Sequence, residues 1–221
     1  MKIFNKNTAN KLLKNAYTLK TPEDSIRYYK SFSKTYDSTF AKGLDYIYPK
    51  RIAEEFYNHY SGNGDVCDIG CGTGLVGQEL RAIYPNLIID GIDISTHMIE
   101  VAKNKNIYRK FYNIDLTKPI KNVSNNYSAV ISAGTFTHGH LGPKAIINLL
   151  SICKKDALLT IGINALHYRA QSFDLALHKL ERIGSIKIVK VSSKPIYGLE
   201  DKSMLSENQF GVVCTFVKVK N

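Results

Sequence analysis

The chain has 221 residues, with 44% apolar and 22% charged residues, and these values exclude a largely disordered protein. Thirty Lys and Arg against nineteen Asp and Glu give a net charge of +11, but the bases are spread out, which favours a solubilising surface over nucleic-acid binding. No run approaches the roughly 18 apolar residues of a membrane span. The first residues, Met1 to Lys14, contain no apolar stretch long enough for a secretory signal. We therefore expect a cytoplasmic protein without membrane contact.

The first 60 residues read as helical and rich in tyrosine, with apolar positions at helical spacing. Thr21 followed by Pro22 and two acids is a helix-start signal. A Ser-Gly-Asn-Gly run at 61–64 then interrupts the chain. The sequence therefore divides into a helical N-terminal segment, 1–64, and a second region, 65–221.

From residue 65 onward, short apolar runs alternate with helical stretches, a pattern that predicts an α/β domain with a mainly parallel sheet. The last two strands have no clear helix between them, which predicts an antiparallel hairpin at one edge. The predicted strands are 66–69, 87–92, 109–113, 128–133, 157–163, 186–192 and 212–218, and the predicted helices are 75–84, 96–105, 143–154 and 169–182.

The strongest motif is a glycine loop between the first strand and its helix. Gly70, Gly72 and Gly74 allow a ligand to touch the main chain beside the helix N-terminus. The run from Gly72 to Gly77 also fits a dinucleotide fingerprint, which is weak alone. Asp68, however, would repel a pyrophosphate held by this loop. A ligand with an amine and a sulfonium, such as S-adenosyl-L-methionine (SAM), would instead be attracted.

Two further acids follow the next two strands. Asp93 can accept both ribose hydroxyls, and Asp115 can accept a bond from the adenine amino group. Ile94, Met98 and Leu116 are candidates for the apolar walls around the adenine. A single acid after a strand is more often a helix cap or turn residue. Three acids at three consecutive strand ends favour a nucleoside site.

Residues 65–135 resemble the class I SAM-dependent methyltransferases. The resemblance implies a Rossmann-like seven-stranded sheet that is mainly parallel with an antiparallel last strand. It also implies SAM as cofactor, S-adenosyl-L-homocysteine (SAH) as product, and residues 1–64 as a helical lid that places Tyr36 at the cofactor. Residues 136–143 are similar to a methyltransferase-like subgroup. The matching residues are Asp68, Gly70, Gly72 and Gly74 for the glycine motif, Asp93 for the ribose acid and Asp115 for the adenine acid.

The segment after the fourth strand should face the transferred methyl group, because ligands bind at the carboxyl ends of the strands. Ala133 is small enough for the methionine part of SAM to approach. His138 and His140 are candidate general bases, because an unperturbed imidazole titrates near neutrality. A structural or solvent-exposed role for either histidine is equally compatible with the sequence.

The loop after the fifth strand supplies candidate substrate-binding groups, which would hold a carboxylate or polar head. Capping and solvation of the next helix is an equally good interpretation. The residues concerned are Asn164, His167, Tyr168 and Arg169.

The sequence lacks the Pro-Pro-aromatic, Pro-Cys and paired-acid signatures of other methyl-transfer chemistries. It therefore predicts metal-independent methyl transfer to O, N or S of a small-molecule substrate. Three alternatives stay open: an RNA or protein methyltransferase, a non-catalytic SAM-binding module, and a nucleotide-dependent oxidoreductase. The four cysteines show no zinc-like spacing, so we expect them to be reduced and to bind no metal. The sequence leaves the oligomeric state open.

Overall fold

The computed structural model describes residues 6–124, 126–137, 140–198 and 209–220. Its N-terminal part is helical, as predicted. A capping box begins the second helix: the Thr21 hydroxyl accepts from the Asp24 N–H, and the Asp24 carboxylate accepts from the Thr21 N–H, each over 3.1 Å. The elements are α1 (Lys6–Ala16), α2 (Pro22–Lys30), a 3₁₀ turn (Ser33–Thr35), a π-helical segment (Tyr36–Ala41) and α3 (Tyr48–Tyr57).

The remaining elements form one seven-stranded sheet in the order β3-β2-β1-β4-β5-β7-β6. Strands β1 to β5 pair in parallel, and β7 runs antiparallel to both β5 and β6. The strands are β1 (Val66–Ile69), β2 (Ile89–Asp93), β3 (Lys110–Asn113), β4 (Tyr127–Phe136), β5 (Cys153–Asn164), β6 (Ile186–Pro195) and β7 (Phe210–Lys218). The helices are α4 (Leu75–Ile83), α5 (Thr96–Lys103), α6 (Lys144–Ser151), α7 (Ala165–Ala170) and α8 (Phe173–Arg182). The mainly parallel sheet with its antiparallel last strand is confirmed.

The strand order reverses between β1 and β4, because β2 and β3 lie on one side and β5 on the other. Their carboxyl ends diverge into a crevice at this point, the usual ligand position in open α/β sheets. The fold therefore opens a site directly beside the glycine loop.

The largest differences from the sequence prediction concern two of the helices. The single helix predicted over 169–182 is two helices, because α7 begins at Ala165 and Ser172 adopts a left-handed φ of 52° before α8. The helix predicted to reach Lys154 ends at Ser151, and β5 begins at Cys153. Residues 154–156 are exposed, so their polarity resembled a helix surface although they lie on a strand.

Helix α3 packs against the sheet rather than over its end. Ile52 and Phe56 are fully buried. The ring of Tyr48 occupies space next to Gly162, where an added Cβ would come within 2.6 Å of it. Residues 6–47, called here the N-terminal cover, precede this helix. The division of the chain at residue 64 stays a prediction.

Two smaller findings concern the chain as a whole. All four cysteines are buried and free. None of the helices that the structure describes combines the length and apolarity needed to cross a membrane.

Candidate active site at the carboxyl ends of the strands

A cavity of about 280 Å³ lies between the strand ends and the N-terminal cover. Eleven of the residues singled out from the sequence line it. They are Tyr36, Gly70, Gly72, Asp93, Ile94, Met98, Asp115, Leu116, Ala133, His140 and Asn164. The strand-end pattern therefore brings these residues to one place, while their individual roles remain predictions.

The glycine loop is joined to the end of β2 through Asp93. Its Oδ2 accepts from the Gly72 N–H and its Oδ1 accepts from the Ser95 N–H, each over 2.8 Å. Gly72 has a φ of 55°, and a Cβ there would make only ordinary contacts, with Met98 at 3.6 Å and the Gly70 carbonyl oxygen at 3.9 Å, so this face of the loop is open to a ligand. Burial raises the pKa of Asp93, although the backbone bonds oppose that shift. Each carboxylate oxygen retains a lone pair for a ribose hydroxyl.

Asp68 lies behind the glycine loop and does not line the cavity. Its Oδ2 accepts from the Tyr108 hydroxyl over 2.7 Å. Burial raises its pKa to about 7, against the opposing effect of the bonds from Tyr108 and the Gly77 N–H. Gly74 also faces Tyr108, where a Cβ would come within 3.0 Å of the ring. These two predicted cofactor residues therefore shape the loop from the rear.

Asp115 combines a cavity position with a turn. Its Oδ1 accepts from the Thr117 N–H over 3.0 Å and from the Thr117 hydroxyl over 2.6 Å. The Lys118 Nζ atom lies 3.1 Å from Asp115 Oδ2. Burial raises the pKa of Asp115, but the bonds from these two residues outweigh it, and the pKa falls. Asp115 therefore stabilises a turn through its side chain and also lines the cavity.

The two predicted bases have different outcomes. His138 lies outside the described residues. His140 lines the cavity, packs its ring edge-on against Tyr29 at 6.0 Å, and leaves Nε2 without a partner among the described residues. Burial, assisted by His167, lowers its pKa to about 4. The neutral-range pKa expected from the sequence is therefore corrected, because the ring is desolvated.

Three of the four predicted substrate-binding residues lie outside the cavity lining. His167 is buried with Nε2 at 2.9 Å from the Leu141 carbonyl. Tyr168 stacks on Phe173 at 5.9 Å, and Arg169 is exposed on α7. Because α7 begins immediately after β5, it turns these side chains away from the strand end. A substrate role for them stays a prediction that the geometry does not support.

The N-terminal cover is anchored to the glycine loop through Asp37. Its Oδ1 accepts from the Thr73 hydroxyl over 2.5 Å, and its Oδ2 accepts from Lys105 Nζ over 2.7 Å. Lys105 also donates to Gln78 Oε1 over 2.7 Å. Sequence reasoning missed this link, because its partners are 36 and 68 residues apart from Asp37.

Aromatic side chains of the cover pack in or against a buried core cluster. Several of them also form a wall of the cavity while packing on one another. The ring centroids of Tyr36 and Phe40 lie 5.0 Å apart, and those of Phe40 and Tyr46 lie 6.2 Å apart. The density of tyrosines before residue 60 was the available signal. The additional lining aromatics are Tyr17, Tyr29, Phe40 and Tyr46 of the cover, together with Tyr48, Phe136 and Tyr197.

The region around the glycine loop is similar to known methyltransferases. A family model described as a methyltransferase domain matches residues 66–156. The malonyl-[acyl-carrier protein] O-methyltransferase of Halalkalibacterium halodurans is 30% identical over 124 residues, which cover 52% of this chain and 45% of that protein. Human methyltransferase-like protein 27 is 31% identical over 125 residues, covering 54% and 49% respectively. The chain thus spans about half the length of the curated relatives it matches.

Solved structures share the fold over most of the chain. A magnesium protoporphyrin IX methyltransferase from Synechocystis with bound SAH superposes with a TM-score of 0.64 and 16% identity, covering 89% of this chain and 99% of that one. The plantazolicin methyltransferase BpumL with SAH gives a TM-score of 0.59 and 14% identity, covering 97% and 95%. Residues 66–156 of this chain thus match a methyltransferase domain, and its seven-stranded sheet has the fold of methyltransferases solved with SAH.

Proposed function

We propose that the protein is an enzyme that transfers a methyl group from SAM to an O, N or S atom of a small-molecule acceptor without a metal ion. One observation carries the proposal: the glycine loop is hydrogen-bonded to Asp93 at the floor of a cavity that the N-terminal cover closes. The glycine loop and Asp93 would hold the nucleoside, and aromatic side chains of the cover line another part of the same cavity.

The residues present fit SAM. Asp93 offers the remaining lone pairs of a carboxylate already fixed by two backbone bonds, which suits the ribose hydroxyls. Ile94, Met98 and Leu116 offer apolar walls to the adenine. Gly72 presents no side chain where the ligand would approach. When bound, SAM supplies a methyl group activated by its positively charged sulfur.

The chain itself contributes alignment, exclusion of water and an acceptor for a proton. The acceptor heteroatom forms the bond to the methyl carbon, and the pair of the broken C–S bond stays on sulfur. A hydroxyl or amine acceptor also releases a proton. Neutral His140, whose Nε2 has no hydrogen bond to a described residue, is available to accept it.

A small acceptor and a cytoplasmic location are part of the same proposal. The cavity volume of about 280 Å³ lies at the lower end of ligand pockets. Buried free cysteines suit a reducing compartment. The names of two similar proteins give malonyl-[acyl-carrier protein] and magnesium protoporphyrin IX as the acceptors of those proteins.

Isothermal titration tests the proposal with SAH and NAD⁺ as paired ligands. We expect SAH to bind saturably at one site and NAD⁺ to bind at least 100-fold more weakly, since buried Asp68 lies behind the loop that would hold the pyrophosphate. Tighter binding of NAD⁺ would contradict the proposal and restore the oxidoreductase alternative. Incubation with methyl-labelled SAM and cell extract, followed by mass spectrometry, would then detect a labelled small-molecule product.

A further inference from the structure

The half of the cavity away from the glycine loop is an aromatic chamber. It is defined by six residues that lie in the cover or at, or just after, the ends of β4, β5 and β6, and is called the acceptor chamber. Tyr36 connects the aromatic rings of the chamber into one wall. The centroid of its ring lies 6.2 Å from that of Tyr29 and 5.0 Å from that of Phe40. The six are Tyr29, Phe40, Tyr46, His140, Asn164 and Tyr197.

The shape of the chamber depends on the end of β4. Gly134 has a φ of 81°, and a Cβ there would come within 2.6 Å of the Tyr46 hydroxyl. Tyr46 in turn lies 5.8 Å from Tyr197. Because aromatic faces stack on flat groups, this wall favours a planar occupant over a branched aliphatic one.

The six residues that define the chamber carry no net charge near neutrality, and the nearby carboxylate that acts on them is that of Asp93, which helps raise the pKa of Tyr29. Burial raises the pKa of Tyr29, Tyr46 and Tyr197, so their phenols stay protonated. His140 is neutral because burial lowers its pKa to about 4. Lys20 is exposed and is the only Lys or Arg among the described lining residues. A free carboxylate bound deep in the chamber would therefore lose its hydration without gaining a cationic partner.

Asn164 provides a fixed hydrogen-bond donor. Its Oδ1 caps α7, accepting from the Leu166 N–H over 3.0 Å and the His167 N–H over 3.1 Å, and this cap fixes which way the amide faces. The residue is 4% exposed, and Nδ2 makes no hydrogen bond of normal geometry to a described residue. A side-chain hydrogen bond outside normal geometry joins this amide to the Tyr17 phenol and lowers the pKa of that phenol, although burial has the larger, opposite effect. A ligand atom better placed for Nδ2 would replace this bond.

An unsatisfied buried donor costs stability until a ligand atom satisfies it. The donor Nδ2 suits a carbonyl, hydroxyl or ring-nitrogen lone pair. It does not suit an ammonium group, which has only hydrogens to offer. Aromatic walls alone would admit a cation, and Asn164 therefore decides between the two kinds of occupant.

Given the proposed methyl transfer, on which this step rests, we infer that the acceptor chamber takes an uncharged, planar, conjugated acceptor. Its hydrogen-bond-accepting atom meets Asn164 Nδ2. Free carboxylates and ammonium groups are poor acceptors for this chamber. Asn164 is thus assigned as a residue that determines acceptor specificity.

The test uses the full chain saturated with SAH and three matched probes at pH 7: 2-naphthol, 2-naphthoate and 2-naphthylmethylammonium. We expect 2-naphthol to bind saturably and at least 10-fold more tightly than either charged probe, measured by titration calorimetry. Stronger binding of a charged probe, or no binding of 2-naphthol to the SAH-loaded protein, would overturn the inference. Failure of SAH itself to bind would instead overturn the proposed function.

Two variants separate the Asn164 donor from its capping role. Asn164→Asp keeps an oxygen for the α7 cap and removes the amide donor, and Asn164→Ser keeps a cap but is too short to reach the chamber. Both should lower 2-naphthol affinity at least 10-fold while SAH affinity changes less than 3-fold. Unchanged 2-naphthol affinity in both variants would show that Asn164 only caps the helix.

Discussion

Replacing Asp93 tests the cofactor half of the site, because this carboxylate holds the glycine loop and faces the cavity. Asp93→Ala removes two 2.8 Å bonds, from the Gly72 and Ser95 N–H groups, and two expected bonds to the ribose. Hydrogen bonds to charged groups contribute about 1.5–3 kcal/mol each. Because water can take the place of the carboxylate at the ribose hydroxyls, the loss should be smaller than the sum of two such bonds. We expect SAH affinity to fall by about 2–4 kcal/mol, which is roughly 30- to 700-fold.

The same substitution should also lower stability. The reason is that the Asp93 carboxylate accepts two backbone bonds, which join the glycine loop to the end of β2. We expect a loss of about 1–3 kcal/mol in the free energy of unfolding, partly offset because a buried charge is removed. Asp93→Asn keeps one acceptor oxygen and should fall between Asp93→Ala and wild type in both measurements.

Titration calorimetry with SAH and urea unfolding measure the two effects. Asp174→Ala is the matched control, since Asp174 is exposed in the first turn of α8 and does not line the cavity. It should leave SAH affinity unchanged. SAH affinity within 3-fold of wild type in folded Asp93→Ala would refute the assignment of the ribose site to this residue.

Three further outcomes are expected. Lys105→Met removes the cation that pairs with Asp37 at 2.7 Å, so SAH should dissociate several-fold faster in stopped flow, and added salt should affect the variant less than wild type. If added salt affects the variant as strongly as wild type, the ion pair between Lys105 and Asp37 does not hold the cover over the bound SAH. Asp68 has a folded pKa of about 7, above its unfolded value, so its contribution to stability is complete below pH 4 and is lost by up to about 4 kcal/mol as pH rises through 7. Asp68→Asn should flatten the urea-unfolding profile over that window, and an unaltered profile would contradict the buried, protonated acid. His140→Gln should lower turnover, and because the pKa is about 4, wild-type turnover should show no His140 inflection between pH 6 and 8; an inflection that disappears in the variant would show a solvated ring.

The sequence predicted best where function depends on neighbours in the chain. The glycine loop, its flanking strand and helix, and the acids at strand ends occupy adjacent positions, so their alternation was sufficient to locate the cavity. Asp93 is an example, since its partner Ser95 is two residues away. The parallel sheet followed for the same reason, because short apolar runs alternate with helices.

Contacts between distant segments could not be predicted from the sequence. The position of Asp68 behind the loop depends on Tyr108, which is 40 residues away, and no local pattern links the two. The direction of His167 depends on where α7 begins, and that is set by the Asn164 cap. Asn164 caps α7 with its side-chain oxygen and also lines the cavity, while its role toward a substrate stays a prediction.

The central claim is that the cavity floor formed by the glycine loop and Asp93 is a SAM site. A crystal structure of the full chain grown with SAH tests it most directly. The account predicts the ribose hydroxyls within hydrogen-bond distance of both Asp93 oxygens, with the adenine between Ile94 and Leu116. SAH bound elsewhere, or with its ribose away from Asp93, would contradict the account.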